Sequence, residues 1–110
     1  MELVRRLRPA QPLIFPCTNS GYGKGGALPV TESDPMTPLS LYGRTKVRAE
    51  KAVLRHPLGV SLRFATLYGP SARMRLDLLV NAFVHSAVHD GTLALYEPAF
   101  RRCVLHVADA

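Results

Sequence analysis

Acidic residues are scarce in this chain, tryptophan is missing, and no apolar run is long. Aspartate and glutamate total 8 against 14 lysines and arginines, a formal net charge of +6 over 110 residues. Such an excess invites nucleic acid as a partner. The basic residues are scattered, however: Arg5, Arg6 and Arg8, then Arg44, Lys46, Arg48, Lys51 and Arg55, then Arg73 and Arg75, then Arg101 and Arg102. Aromatic residues make up 7% and do not interleave with these charges as a base-stacking platform requires. The reading is solvated surface, or contacts to a phosphorylated small molecule, and no nucleic-acid partner. Cys17 and Cys103 are too few and too far apart for a disulfide framework or a zinc site. Both lie in apolar, strand-like runs, so two reduced, buried thiols in a cytosolic protein are expected. No stretch reaches bilayer-spanning length, and the start, MELVRRLRPAQP, lacks the apolar core of a signal peptide. No membrane partner is expected.

What is present fits one globular domain at most, with 47% hydrophobic residues to build a core. Leu3 to Leu7 reads as the frayed end of a helix. Leu13, Ile14 and Phe15, enclosed by Pro12 and Pro16, suit a short buried strand. Thr18 to Pro38 is rich in glycine, proline and hydroxyl residues and reads as loop. Thr37 is placed to cap a helix with Pro38 at its first position, running to about Arg55 and stopping at His56-Pro57-Leu58-Gly59. Val60 to Thr66 reads as a strand ended by Tyr68-Gly69-Pro70. Leu76, Leu79, Val80, Phe83, Val84, Ala87 and Val88 then fall at helical spacing, closed by Gly91. Thr92 to Tyr96 and Cys103 to Val107 are further strand candidates. This alternation favours an α/β architecture with a parallel sheet.

Two motifs fail on their surroundings. Gly21-Tyr22-Gly23-Lys24-Gly25-Gly26 formally satisfies GxGxxG. A dinucleotide fingerprint needs a helix to begin inside the loop, because the pyrophosphate sits on the helix N-terminus. Ala27-Leu28-Pro29-Val30 follows instead, so the run reads as a flexible active-site loop. Nor is it a phosphate-binding P-loop, since glycine follows Lys24 where Ser or Thr is needed. His85 and His89 have the i, i+4 spacing of a zinc pair. Ser86 stands where a metalloprotease needs glutamate, and both histidines oppose the apolar stripe, so they read as exposed residues and no metal is expected. His106, between Leu105 and Val107, reads as a satisfied core or edge histidine.

One motif survives. In Tyr42-Gly43-Arg44-Thr45-Lys46 a phenol and an ammonium stand four residues apart, on one face of a helix. An ammonium beside a phenol favours the phenolate and makes a usable proton carrier. A hydroxyl residue at the end of a preceding strand, Thr18, completes a Thr/Tyr/Lys site. Taken alone, Tyr42 and Lys46 are an ordinary exposed helix pair; the flanking motifs decide otherwise.

Those motifs resemble the extended short-chain dehydrogenases/reductases, the nucleotide-sugar epimerase and dehydratase family. Leu13-Ile14-Phe15-Pro16-Cys17-Thr18-Asn19-Ser20-Gly21-Tyr22-Gly23 resembles that family's strand and loop holding the catalytic Ser/Thr. Thr31-Glu32-Ser33-Asp34 and Pro38-Leu39-Ser40-Leu41-Tyr42-Gly43-Arg44-Thr45-Lys46 resemble its approach to the YxxxK helix. Leu62-Arg63-Phe64 through Tyr68-Gly69-Pro70 resembles its next strand. Arg102 with His106-Val107-Ala108-Asp109 resembles the segment that reaches the nucleotide-sugar diphosphate.

The resemblance implies a partial Rossmann-like, doubly wound parallel sheet, with the C-terminal part of a cofactor domain and the start of a substrate lobe. It implies NAD as cofactor, with NADP left open, and a nucleotide sugar or related small molecule as substrate. Tyr42 would take a proton from a sugar hydroxyl as hydride leaves the same carbon, Lys46 would hold the nicotinamide ribose, and Thr18 would orient the reacting oxygen. Phe64 and Thr66 would lie near the nicotinamide, although Thr66 stands where many relatives carry Asn. Arg102 would bind phosphate, with Arg73 and Arg75 as helpers. A homodimer through the YxxxK helix is a further implication for the full-length parent. Dehydratases of the family usually add acidic residues beside the catalytic hydroxyl; here Asn19 and Ser20 follow Thr18, which tilts toward an epimerase or reductase. The glycine-rich half of the family's domain precedes the Thr18 strand, so residues 1–110 read as one partial domain lacking that half, an internal fragment inactive by itself. The alternative is a non-catalytic remnant of the same fold, acting as a binding protein or without activity.

Overall fold

The computed structural model describes residues 2–24 and 29–110, so Gly25 to Leu28 of the glycine-rich loop lie outside the described residues. The chain divides into two compact units, Met1–Phe64 and Ala65–Ala110. The first begins with a short helix α1 (Glu2–Arg6), followed by strand β1 (Leu13–Thr18) and a 3-10 turn (Asn19–Tyr22). Helix α2 (Leu41–Val53) and strand β2 (Gly59–Phe64) complete it. β1 and β2 are parallel, with Leu13 opposite Gly59 and Thr18 opposite Phe64. A parallel pair needs a crossover, and α2 lies within it.

α2 starts three residues later than its proline suggested. Ser40 is the cap, its Oγ accepting from the Gly43 N–H at 3.0 Å. Thr37 is drawn elsewhere: its hydroxyl donates to the Tyr22 carbonyl at 2.9 Å. The inner face of the helix buries Val47, Val53 and Glu50, with Cys17 of β1 contributing to the same core. His56 is buried beyond the helix end, its Nδ1 accepting from the Leu58 N–H and its Nε2 meeting the Arg8 carbonyl at 3.1 Å. It fastens the segment before β1 to the turn before β2.

The other face of the β1–β2 pair is open. Ile14 and Val60, paired in register, are 66% and 50% exposed, and Leu62 opposite Pro16 is 40% exposed. Parallel strands are ordinarily covered on both faces, so this is apolar surface with a structural cause.

The second unit holds strand β3 (Thr66–Tyr68), helix α3 (Leu79–His89), strand β4 (Val104–His106) and a closing 3-10 turn (Val107–Asp109). β3 and β4 are parallel, Tyr68 opposite His106. The expected single strand from Val60 to Thr66 is therefore two strands, parted at Ala65, each with its own partner. The strand expected at Thr92 to Tyr96 does not form; Leu93, Leu95 and Tyr96 are exposed, and no described strand lies beside them to supply hydrogen bonds. The apolar stripe of α3 is largely uncovered, with Val84 and Val88 exposed, whereas polar Asn81 is buried. Asn81 takes the Gly69 N–H on its Oδ1 and donates to the Arg75 carbonyl, tying two loops to the helix. Cys17 is buried as expected, but Cys103 is exposed: it falls just outside the three residues of β4, and only its carbonyl, which accepts from the Thr66 N–H, meets β3. No helix among the described residues is long and apolar enough to cross a membrane.

Candidate functional site

The carboxyl ends of parallel strands are where open α/β folds bind ligands, and in the first unit that edge carries Thr18 and Phe64 side by side. Thr18 is buried, at 8% exposure. Its hydroxyl accepts from the Ser20 N–H at 3.2 Å and donates to Ser20 Oγ at 3.1 Å. Ser20 is exposed. The turn after β1 thus begins by locking the Thr18 side chain.

Helix α2 brings the other two groups. Lys46 Nζ donates to the Pro16 carbonyl at 2.8 Å, two residues before Thr18. The same ammonium lies 4.9 Å from the centre of the Phe15 ring and 5.9 Å from that of Tyr42. The first is within the range of a cation–π contact and the second at its limit. A further link holds helix and strand together, Cys17 Sγ donating to the Lys46 carbonyl at 3.9 Å. Tyr42 is 55% exposed, and among the described residues no hydrogen bond engages its phenolic oxygen. Lysine is therefore anchored to the strand while the phenol faces outward.

Glycines set the closeness of this packing. A Cβ on Gly43 would stand 3.0 Å from Pro38 Cβ and 3.1 Å from the Ser20 carbonyl oxygen. Gly23 has φ +74° and would place a Cβ against the Thr37 backbone.

Sequence reading missed the group that ties this unit together, Arg63 of β2. Its Nε donates to Glu50 Oε1 at 2.9 Å, and its Nη1 donates to Tyr22 Oη at 2.6 Å and to the Glu32 carbonyl at 3.1 Å. The guanidinium also lies 5.2 Å from the Tyr22 ring centre. The bond to Glu50 raises the Arg63 guanidinium's pKa above its ordinary value, with burial opposing and Tyr22 adding to it. A signal was available: an arginine inside the apolar run Val60 to Phe64 needs a buried partner.

The remaining candidates belong to the second unit. Arg73 and Arg75 line an open groove of about 690 Å³ with Met74, Leu76 and Asp77. Arg75 grips Asp77 with two bonds, at 3.0 and 2.5 Å, which holds the Asp77 carboxyl below its ordinary range. Arg102 is exposed and does not line that groove. Thr66 opens β3 opposite Val104. His106 is a satisfied edge histidine, its Nδ1 accepting from the Ala108 N–H and its ring edge-on to Tyr68 at 5.1 Å. His85 and His89 are exposed, with ring centres 4.5 Å apart, and no third ligand side chain joins them among the described residues.

Comparison with known proteins gives one consistent picture. The model of the NAD dependent epimerase/dehydratase family matches residues 1–110. A methionine adenosyltransferase 2 subunit beta from Rattus norvegicus is 55% identical over 42 residues, covering 37% of this chain and 13% of that protein. An uncharacterised UDP-glucose epimerase of Bacillus subtilis is 33% identical over 91 residues, covering 78% of this chain and 28% of that protein. Among solved structures, a dTDP-glucose 4,6-dehydratase from Bacillus anthracis, in complex with NAD, superposes with TM-score 0.74 at 29% identity. That match covers 97% of this chain and 36% of the dehydratase. The parallel pairs with their helices are a Rossmann-like α/β fold.

Proposed function

Because the chain belongs to the NAD dependent epimerase/dehydratase family, we propose that it is the catalytic segment of a nucleotide-sugar oxidoreductase whose reacting groups are Thr18, Tyr42 and Lys46. The observation that carries this reading is the Lys46 ammonium, seated on the Pro16 carbonyl beside Thr18 and within reach of the Tyr42 ring. An ammonium has three donors. The bond to Pro16 uses one and leaves two for the hydroxyls of a ribose, at the strand edge where such a ligand binds. The donor set fits the dinucleotide.

NAD, when bound, supplies the hydride acceptor. The chain does the rest. Tyr42, exposed and on the same helix face as the Lys46 ammonium, accepts the proton of the sugar hydroxyl that is being oxidised. Thr18 hydrogen-bonds the same oxygen and orients it. Its proton points to Ser20 Oγ in the resting arrangement, so a substrate oxygen must either take that proton over or donate to Thr18. Phe64 and Thr66 are assigned to the nicotinamide surroundings, and Arg102, Arg73 and Arg75 to substrate phosphate. For Arg75 that assignment requires a phosphate to displace Asp77. Asn19 and Ser20 offer no carboxylate beside Thr18, which favours epimerisation or reduction over dehydration. The proposal also includes the cytoplasm as compartment, association through α2 in the assembled protein, and residues 1–110 as a partial domain whose dinucleotide grip needs a glycine-rich element that they do not supply.

Calorimetric titration with NAD tests this on two proteins, the 110 residues alone and the same residues joined to the glycine-rich half of a family member. Binding by the joined protein only, lost when Tyr42→Phe and Lys46→Met are combined, is the expected result. Tight stoichiometric binding by the 110 residues alone would overturn the partial-domain assignment. Unchanged affinity in the double variant would overturn the site.

A second reading has one observation behind it: the 55% identity is to a protein named as a subunit of a methionine adenosyltransferase. On this reading the fold serves as a binding subunit, and the Tyr42/Lys46 double variant leaves association with its partner intact.

A further inference from the structure

We infer that Arg63 is a positioning residue, one that fixes the Thr18 hydroxyl relative to the helix bearing Tyr42 and Lys46. The inference rests on the Thr18–Tyr42–Lys46 reading for what is being positioned, and on geometry alone for how. Arg63 stands in β2 opposite Cys17, the neighbour of Thr18. From there one guanidinium reaches three separate pieces of chain. Glu50 lies one helical turn beyond Lys46 on α2 and is 3% exposed. Tyr22 ends the 3-10 turn that starts at Thr18. Glu32, joined through its carbonyl, lies in the segment leading to α2.

The planar fork of arginine makes this possible. Nε is committed to the carboxylate while Nη1 serves the phenol and the carbonyl, directions that a single ammonium cannot hold at once. The phenol of Tyr22 receives both a hydrogen bond and the cation over its ring. The turn is therefore held at both ends, by Thr18 Oγ1 on the Ser20 N–H and by Arg63 on Tyr22. If the Arg63 bond is released, Tyr22 keeps only the Thr37 hydroxyl on its carbonyl, and Thr18 keeps two neutral hydrogen bonds to the exposed Ser20.

Amide exchange by NMR on the 110-residue chain reads this directly, because the Ser20 N–H is bonded to Thr18 Oγ1 and reports whether that hydroxyl is in place. Tyr22→Phe keeps the ring and the Glu50 pair and deletes only the phenolic oxygen. Its expected effect is about tenfold faster exchange at Ser20 and Gly23, with the Leu54 amide, bonded to the Glu50 carbonyl, unchanged within about twofold. Arg63→Lys is expected to give the same loosening at Ser20 despite its retained charge. A merely structural role moves Ser20 and Leu54 together. Equal acceleration at both amides in Tyr22→Phe, or none at either, would overturn the inference. These amides respond without any ligand, so the NAD titration above can fail while this result stands, and the reverse.

Discussion

The residues from Ser40 to Lys46 carry two kinds of information that act through different physics. Tyr42 and Lys46 carry the proposed reactivity, and their spacing alone puts them on one helical face. Ser40, two residues earlier, matters for whether the helix begins where it must. Its Oγ satisfies the Gly43 N–H, which would otherwise lack an intrahelical acceptor. Ser40→Ala is expected to destabilise the chain by about 1 kcal/mol, read as a lower urea midpoint with an unchanged slope. Denaturation midpoints equal within error would show that another group caps α2. The placement of Tyr42 and Lys46 on one helix was legible in the sequence because i, i+4 geometry is local. The cap was displaced from Thr37 to Ser40 by a hydrogen bond to Tyr22, a partner fifteen residues away, which no local pattern reveals. An arginine inside an apolar strand signalled a buried partner at position 63, but which partners was illegible for the same reason, since all three come from distant positions brought together only by the fold.

At the scale of elements, the segment before α2 is organised by one carboxylate. Asp34 Oδ2 accepts from the Thr31 N–H at 2.6 Å and from the Thr31 hydroxyl at 2.9 Å. These bonds favour the charged form and hold the Asp34 carboxyl below its ordinary value of 3.8. A carboxyl depressed in the folded chain contributes stability that is present above its ordinary value and disappears as pH falls through the folded value. The Thr31 amide resonance is therefore expected to titrate with a midpoint below 3.8 and to lose its dependence in Asp34→Asn. A midpoint at or above 3.8 would contradict the geometry. Of the elements themselves, α2, α3, β1 and β2 were readable from periodicity and from breakers such as Pro57 and Gly59. The strand expected at Thr92 to Tyr96 was not realised, because alternation creates a strand only where a neighbour accepts its hydrogen bonds.

At the scale of the molecule, the open face of the β1–β2 pair is the dominant physical fact. Ile14 and Val60 are paired in register and both exposed, in a sheet type that is ordinarily buried on two sides. Such surface drives association. The 110 residues are expected to self-associate with rising concentration, and Ile14→Thr combined with Val60→Thr to reduce this at least severalfold in sedimentation velocity. Threonine keeps the β-branched shape that strands favour, so the sheet is preserved. A monomeric parent chain, or association untouched by the two replacements, would show that this face is not the cause. Which face of the pair is left open was not legible from any single residue.

Gly43 gives the motif a final property. With Pro38 Cβ on one side and the Ser20 carbonyl on the other, its α-carbon is the point where the turn that follows Thr18 touches the helix bearing the phenol. A side chain at 43 therefore requires the Pro38 ring or the Ser20 carbonyl to give way by a few tenths of an ångström. The missing side chain at 43 thus sets how near the turn after β1 can come to α2, and a methyl group there would push the two apart.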